Sequence, residues 1–458
     1  MSFLLAAALS GSALSAAPDA VLARGARHDK EGWICVRLAG PPMDRGYQYG
    51  RLVPKEIAEA LRVRRALWHY RTGTEWSLIV EKAFAMWGSR LDPELRAELD
   101  GMVQGLHDAG IETSRRELVA FNGLLELAWY YWPEEKKRLG TAGPEPAKQS
   151  CSSFIATGSW THDGRIVLGH NTWFDYPQAD FNVILDLRPE RGHRILMQTL
   201  PGWIHSGTDF FLTDAGIVGS ETTIGGFSGF DRKGIPEFVR MRRATQDAET
   251  LDAWVEIMKK GNNGGYANAW LLGDLKTNEI ARLELGLKHV SYQMKTDGFF
   301  AGSNVAEHLG ILRFETSENE EDVRLPSVAR RVRWNRLLRE YQGKIDIERA
   351  QAFLADHWDA YHERDQPSSR SLCGHSELDE QGVPDGVPFS PSGGFDSKVV
   401  DATMAVQMSF LGRFGSCDGM AFDASQFLAI HPQFDWMAGL LKSRPARPWV
   451  ELRSGEDP

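Results

Sequence analysis

The chain has 458 residues, of which 42% are hydrophobic and 10% aromatic, enough to bury a large core and to fill two or three average domains. Charged residues make up 25% and the formal net charge is −10, a balance that excludes a surface built to neutralise nucleic-acid phosphates. The one basic stretch, Arg324, Arg330, Arg331, Arg333, Arg336 and Arg339, is interleaved with Val332, Trp334, Leu337 and Leu338 at helical spacing and reads as the solvated face of a helix.

Residues 1–17 are an uncharged run of apolar and small residues ending in Ser15, Ala16 and Ala17, the pattern of an export signal. It predicts a secreted or periplasmic protein, or one in a lysosome-like compartment of a eukaryote. No later stretch reaches the roughly 18 uninterrupted apolar residues of a spanning helix, so no stable membrane insertion is expected. A strand-like piece, 33–38, precedes residues 45–132, where apolar spacing near helical period, as in Leu91, Leu95, Leu99, Met102 and Leu106, predicts helices. Residues 141–149, with two prolines among small polar residues, read as an exposed linker that tolerates cleavage.

The character changes at residue 151. Short alternating segments follow at 151–157, 165–171, 181–187, 194–198, 210–212 and 216–223. Turn signals such as His162-Asp163-Gly164, Pro201-Gly202 and Asp214-Ala215-Gly216 separate them, as in antiparallel hairpins. Helices are expected at 237–247 and 251–259, strands at 269–272, 279–285 and 289–294, and a long helical region at 326–357. A Gly/Pro/Ser-rich stretch, 384–394, and a mixed segment complete the chain. Strands, helices and strands again predict an α+β protein, with two mainly antiparallel sheets packed face to face between helix layers. Three parts result: the leader 1–17, a helical fragment 18–150, either pro-segment or small chain, and a catalytic part 151–458.

Four cysteines are present, Cys35, Cys151, Cys373 and Cys417, and no CxxC, which removes zinc-ribbon and thioredoxin-like readings. In an exported protein Cys373 and Cys417 can pair, although sequence does not fix the connectivity. Cys151 opens the triplet Cys151-Ser152-Ser153 just after the linker and at the start of the first strand. A thiol with a pKa of about 8.5 is only partly ionised at neutral pH and needs a base. As a chain terminus, Cys151 would carry its own base, an α-amino group with a reference pKa of about 7.7 to 8.0. The same thiol can create that terminus by attacking the carbonyl of Ser150, giving a thioester that water hydrolyses. Against this stands the reading of Cys151 as a small buried hydrophobe, the state of most free cysteines.

Other motifs are missing. There is no Walker A sequence, GxGxxG or GxSxG elbow, so no cofactor is implied. His357 and His362, with His375 beyond, raise a metal reading, but a spacing of five does not bring two imidazoles together on one helix face, and no metal site is expected.

Six blocks in order carry a resemblance. They are Cys151-Ser152-Ser153; Gly169-His170-Asn171-Thr172-Trp173-Phe174-Asp175-Tyr176; Ser206-Gly207-Thr208-Asp209-Phe210-Phe211; Glu221-Thr222-Thr223; Pro236-Glu237-Phe238-Val239-Arg240; and Gly265-Tyr266-Ala267-Asn268-Ala269-Trp270. Weaker echoes stand at Gly46-Tyr47-Gln48-Tyr49-Gly50 and Gly394-Phe395-Asp396-Ser397-Lys398. The chain resembles the phospholipase B-like family of N-terminal-nucleophile (Ntn) hydrolases, which is related to acyltransferases that process penicillin precursors and to bile-salt and penicillin V acylases. The resemblance implies a four-layer αββα sandwich, self-cleavage between Ser150 and Cys151, and hydrolysis of amide or possible ester bonds in a small-molecule acyl amide or lipid substrate through an acyl thioester. It also assigns roles. His170 and Asn171 end a strand beside the nucleophile and so reach it. In the bile-salt and penicillin acylases that turn continues to an aspartate; here Trp173 stands in its place, and His170 becomes the candidate to orient the thiol. Asn268 matches the asparagine that lends its amide to the oxyanion. Arg240 is a candidate for a substrate carboxylate or phosphate, or else pairs with Glu237 on its own helix. Trp173, Thr222 and Thr223 are candidate pocket residues. Transfer of the acyl group to an amine, and a lipid-binding member of the fold without catalysis, both remain open.

Overall fold

The computed structural model describes residues 13–140, 151–382 and 387–456. Ser150, the linker 141–149 and most of the predicted leader lie outside the described residues.

Helices fill most of 42–138, as the spacing predicts: Pro42–Leu52, Pro54–Thr72, Trp76–Trp87, Pro93–Asp108, Arg115–Asn122 and Trp132–Arg138 among them. Their starts follow from local chemistry. Proline opens several, and Asp92 and Ser114 cap the helices that follow them by accepting from Leu95 N at 2.9 Å and Glu117 N at 3.2 Å. The Gly46–Gly50 echo has a packing cause. Helices Pro42–Leu52 and Pro93–Asp108 approach so closely that a Cβ on Gly46 or Gly101 would fall inside the facing backbone.

The strands, in chain order, are β1 (Ala26–Lys30), β2 (Trp33–Gly40), β3 (Ser152–Thr157), β4 (Val167–Asp175), β5 (Val183–Pro189), β6 (Ile195–Thr199), β7 (Phe210–Thr213) and β8 (Ile217–Thr223). They continue with β9 (Asn268–Asp274), β10 (Glu279–Leu285), β11 (Val290–Lys295), β12 (Gly298–Gly302), β13 (Trp358–Asp359), β14 (Arg364–Asp365), β15 (Ser392–Asp401), β16 (Ser409–Phe414) and β17 (Val450–Arg453). One sheet has nine strands in the order β1-β2-β5-β6-β7-β8-β9-β10-β11, antiparallel except where β2 lies parallel to β5. The other has six, β12-β3-β4-β15-β16-β17, all antiparallel.

Two-residue alternation sorts side chains between layers. Inward-facing Ile155, Leu168, Val400 and Phe410 of the six-stranded sheet meet Ile184, Leu196, Phe210, Val218, Leu271 and Ile280 of the nine-stranded one. Their neighbours Phe154, Val167 and Val399 face the other way and pack on Trp334 and Leu338 of helix Pro326–Glu340 and on Phe353 and Leu354 of helix Ile347–Leu354. The outer face of the nine-stranded sheet, with Leu185, Met197, Phe211 and Trp270, shares one core with Met241 and Trp254 of helices Glu237–Asp247 and Leu251–Lys259. Tyr49, Ile57, Leu99 and Phe121 of the N-terminal helices belong to that same core. The four-layer αββα sandwich expected from the sequence is therefore present.

Two expectations change. The helical region 326–357 is two helices broken around Gly343, whose φ of 74° a helix interior does not accept. Within the Gly/Pro/Ser-rich stretch, β15 begins at Ser392 and runs through the centre of the six-stranded sheet.

A buried ion triad joins the N-terminal helices to helix Glu237–Asp247: Glu98 accepts from Arg45 at 2.7 Å and from Arg242 at 2.9 and 3.0 Å. Burial alone would raise the Glu98 carboxyl, but Arg242 and Arg45 hold it at about 2. Its contribution to stability is complete above the unfolded glutamate value of about 4.3 and is lost as pH falls toward the folded value. Glu98→Ala leaves buried Arg242 without its ion-pair partner and buried Arg45 with Glu94 alone, and denaturant unfolding should show a loss of about 3–5 kcal/mol at neutral pH.

Candidate active site around Cys151

Cys151 stands immediately before β3, and the register of β3 on β4 decides which side chains it meets. Ser152 pairs with Asn171 and Ser153 with His170. Alternation sends these pairs to opposite faces. On the outer face, Ser152 Oγ accepts from Trp334 Nε1 at 2.8 Å. Asn171 Nδ2 donates to Leu354 O and Leu372 O at 2.8 and 3.0 Å, and its Oδ1 accepts from Ser397 at 2.6 Å. On the inner face, Ser153 Oγ lies 2.6 Å from Ser220 Oγ of β8. His170 thus goes with the thiol. Asn171 does not; its amide is fully used in tying β4 to the loops behind it.

The Cys151 thiol is 1% exposed and lies 3.9 Å from Asp209 Oδ2. The backbone amide of Trp173 is near enough to the sulfur to favour its thiolate. A His170 ring nitrogen, the sulfur and an Asp209 oxygen all lie within 4.8 Å of one another. His170 Nε2 is 3.1 Å from Glu221 O. Because a carbonyl only accepts, Nε2 carries the proton and Nδ1 bears the lone pair. Burial, with the Lys398 charge added, drives the ring well below the ordinary histidine range, so it is a neutral acceptor. Burial, with Asp209 beside it, pushes the thiol above its usual range, so the resting sulfur keeps its proton.

Asp209 Oδ2 also accepts from Tyr266 OH at 2.9 Å. Burial raises Asp209 to about 6 and Glu221 much further, repulsion between the two carboxyls adding to the latter. Lys398, from β15, donates to Thr172 Oγ1 at 2.5 Å and forms an ion pair with Asp396, supplying a positive charge on the same side.

The backbone of Cys151 has its own clamp. Arg330, fully buried, donates to Cys151 O at 2.6 Å and to Asn304 Oδ1 at 2.7 Å, and its guanidinium lies 4.3 Å from the centre of the Trp173 ring. Burial lowers Arg330 to about 9, so it remains a cation at neutral pH. Asn304 in turn donates to Thr223 O at 2.7 Å. Cys151, Asp209, Tyr266 and Asn304 all have left-handed backbones, with φ of 70°, 66°, 51° and 74°. Each costs about 1–3 kcal/mol, and such strain collects where a surrounding structure fixes reacting groups.

Asn268, at the head of β9, is fully buried, and neither amide atom has a hydrogen-bond partner. It pairs in register with Thr223 of β8, whose side chain bonds Tyr266, so it lies on the side of the sheet that carries Tyr266. An unspent buried amide is a donor in search of an acceptor. Thr222 points between the sheets against Gly302. Trp173 contributes its ring to Arg330 and its indole N–H to Leu372 O at 3.3 Å. Arg240 is not brought to the thiol: it donates to Ile235 O, Met258 O and Asn263 Oδ1 at 3.0, 2.6 and 3.3 Å, holding loops around its own helix. The Cys151, His170 and Asp209 donors fall one short of a closed tetrahedral metal shell, and Asp209 is already engaged by Tyr266 and Glu221.

Sequence reasoning missed Asp209 and Arg330. Asp209 stands inside a matching block without an assigned role, although an acidic residue at the head of an apolar strand is a signal. Arg330 is corrected from solvated face to buried clamp. It shares a stripe with Trp334, Leu337 and Leu338, at spacings of four, seven and eight, and that stripe is the buried one.

Two mainly antiparallel sheets thus lie between helix layers, with a cysteine at the head of a strand of the six-stranded sheet. The family model described as phospholipase B matches residues 96–309, a span that includes Cys151, His170, Asp209 and Asn268. The chain is 24% identical to phospholipase B-like 1 of Homo sapiens over 277 residues, 53% of this chain and 47% of that protein. With the putative phospholipase B-like 2 of Rattus norvegicus the identity is 28% over 156 residues, 29% and 25% of the two chains. An uncharacterized protein of Archaeoglobus fulgidus is 26% identical over 310 residues, 61% and 49% of the two. The matches thus span about half the length of these relatives or less. A variant of conjugated bile acid hydrolase from Clostridium perfringens superposes on 57% of this chain and 89% of its own, at 10% identity and a TM-score of 0.33. Over residues 96–309 the chain is similar to the phospholipase B family, in agreement with the ordered blocks.

Proposed function

We propose that the chain is an Ntn hydrolase that cuts itself between Ser150 and Cys151 and then hydrolyses an acyl bond, amide in preference to ester, through a thioester on Cys151. One observation carries the reading: the two ends of Cys151 are held by separate groups. Asp209, His170 and the Trp173 N–H surround its sulfur, and Arg330 holds its carbonyl. In self-cleavage the thiol proton passes to Asp209 or to Nδ1 of His170, and sulfur bonds to the Ser150 carbonyl carbon. The Cys151 nitrogen leaves with a proton, and water releases the thioester as a Ser150 carboxylate. The freed amine then serves as base for each substrate. A site that attacks a peptide carbonyl supports the amide preference. Trp129, with ring centroids 5.7 Å from Phe174 and 6.1 Å from Tyr266, supplies an aromatic wall suited to an acyl chain of an N-acylated or lipid-like substrate. The apolar leader makes export part of the same proposal.

Intact-mass measurement of wild type beside Cys151→Ala tests it. Wild type should yield two fragments, the larger starting at Cys151, and the variant one uncut chain. A wild type that stays whole under every maturation condition, acid included, overturns the mechanism; a cut protein inert on a panel of N-acyl substrates supports the lipid-binding alternative. Asn268→Ala should lower kcat about 100- to 1,000-fold with little change in KM, the loss expected of one oxyanion donor. Its thermal midpoint should stay close to wild type, because the amide satisfies no partner within the protein.

A further inference from the structure

A spacing of five keeps His357 and His362 apart only on a helix, and the chain here is not helical. The segment instead enters the β13–β14 hairpin. His362 turns to Asp359, with Nδ1 3.0 Å from Oδ2, while His357 meets His375, their rings 5.3 Å apart. We infer that His357, Cys373, His375 and Asp418 form a closed zinc site that staples three loops behind the nucleophile strand.

The geometry is that of a coordination shell. One ligand atom from each of the four residues lies within 4.8 Å of all the others. Three edges of the figure measure 3.2 Å (His357 Nε2 to Asp418 Oδ2), 3.5 Å (His375 Nε2 to Asp418 Oδ2) and 3.4 Å (Cys373 Sγ to His375 Nε2). Zinc with bonds of about 2.0–2.3 Å to such ligands sets tetrahedral edges of roughly 3.3–3.7 Å. A thiolate, two imidazoles and a carboxylate are a borderline-soft donor set, which suits zinc and not calcium or magnesium.

The supporting contacts are those of a ligand shell as well. His375 turns its other nitrogen, Nδ1, to Glu377 Oε1 at 2.9 Å, which leaves Nε2 for the centre. Asp418 splits its oxygens in the same way. Oδ1 accepts from Ser416 Oγ at 2.5 Å and Met420 N at 2.8 Å, and Oδ2 alone faces the two histidines. His357 Nε2 is buried, and 3.2 Å from Asp418 Oδ2 it lacks the geometry of a hydrogen bond to that oxygen. Binding releases the Cys373 proton to solvent, and four protein ligands leave no open position, so the role is structural. The loop so fixed contains Leu372, whose carbonyl receives Asn171 and Trp173 of β4. The expected Cys373–Cys417 disulfide is the competing fate. The structure has both as free thiols in mutual contact, and zinc excludes the bond by occupying Cys373.

The test uses the full chain, reduced, stripped with a chelator, and titrated with zinc against a chromogenic competitor, then with cobalt. One zinc per chain is expected, and a tetrahedral cobalt spectrum with a thiolate charge-transfer band. Cys373→Ser should abolish that band, His357→Ala should weaken zinc binding on the order of 100-fold or more, and Cys151→Ala should change neither. The inference is overturned if the wild type takes up no stoichiometric metal, a result that stands even where a variant fails to fold. It is equally overturned if Cys151→Ala removes the band, or if non-reducing mass analysis finds a Cys373–Cys417 disulfide.

Discussion

Asp209→Asn should yield a folded protein whose self-cleavage and turnover fall about 100- to 10,000-fold, the range for removing a group that accepts a proton in the transition state. Geometry sets this expectation before charge does. Asp209 Oδ2 is the single atom shared by the thiol and Tyr266 OH, and an asparagine there keeps the shape without the negative charge. Stability separates this from a folding defect. Burial raises Asp209 to about 6, so its contribution to stability is present below the unfolded aspartate value of about 3.9 and is lost as pH rises through the folded value. At pH 7 the wild type carries the burden of an ionised buried carboxylate, and the variant does not. Thermal midpoints measured between pH 4 and pH 7 should therefore fall for wild type relative to Asp209→Asn, while the variant remains inactive at both ends. A variant that still processes itself at the wild-type rate would pass the role to His170, a ring nitrogen of which lies within 4.8 Å of the sulfur.

Arg330→Met should stop maturation while leaving Cys151 in place. Methionine fills much of the volume under Trp173, but Cys151 O and Asn304 Oδ1 lose the Arg330 donor. Each buried acceptor left unpaired costs about 1–3 kcal/mol, so denaturant unfolding should show a moderate loss. The rate of fragment appearance should fall more than 100-fold, because an unheld carbonyl lets the left-handed Cys151 backbone relax out of its attack geometry. Arg330→Lys separates positioning from packing. A lysine keeps the charge and one donor, so it should restore part of the cleavage rate without restoring the bidentate reach to Asn304. Equal cleavage in Arg330→Met and wild type would remove Arg330 from the site.

Much of the frame was legible. The helices Glu237–Asp247 and Leu251–Lys259 and the strand β10 fall where spacing placed them, because each buries one regular face. β15 was not legible, and the reason is physical. A central strand normally reads as apolar, but this one buries Gly393, Gly394, Asp396, Ser397 and Lys398, its charges neutralised by one another within the sheet. Periodicity sees hydrophobicity and cannot see an ion pair. The same blindness hid Arg330, whose neighbours Arg331 and Arg333 do reach partly exposed partners, Glu307 and Asp356. Within the site, Cys151 and His170 were legible from the order of the blocks. Asp209 was not given a role, because it reaches the thiol from the other sheet, a relation that sequence distance does not encode.

The leading strands β1 and β2 belong to the nine-stranded sheet, with β2 hydrogen-bonded along its length to β5, and the N-terminal helices share that sheet's core. The segment before the proposed cut is thus woven into the segment after it. Cleavage at Cys151 would give two polypeptides that co-elute at the size of the intact chain and separate only on a denaturing gel. The early fragment would behave as a permanent light chain, and the heavy chain expressed alone would expose the edge at β5 and the part of the apolar face that the N-terminal helices cover.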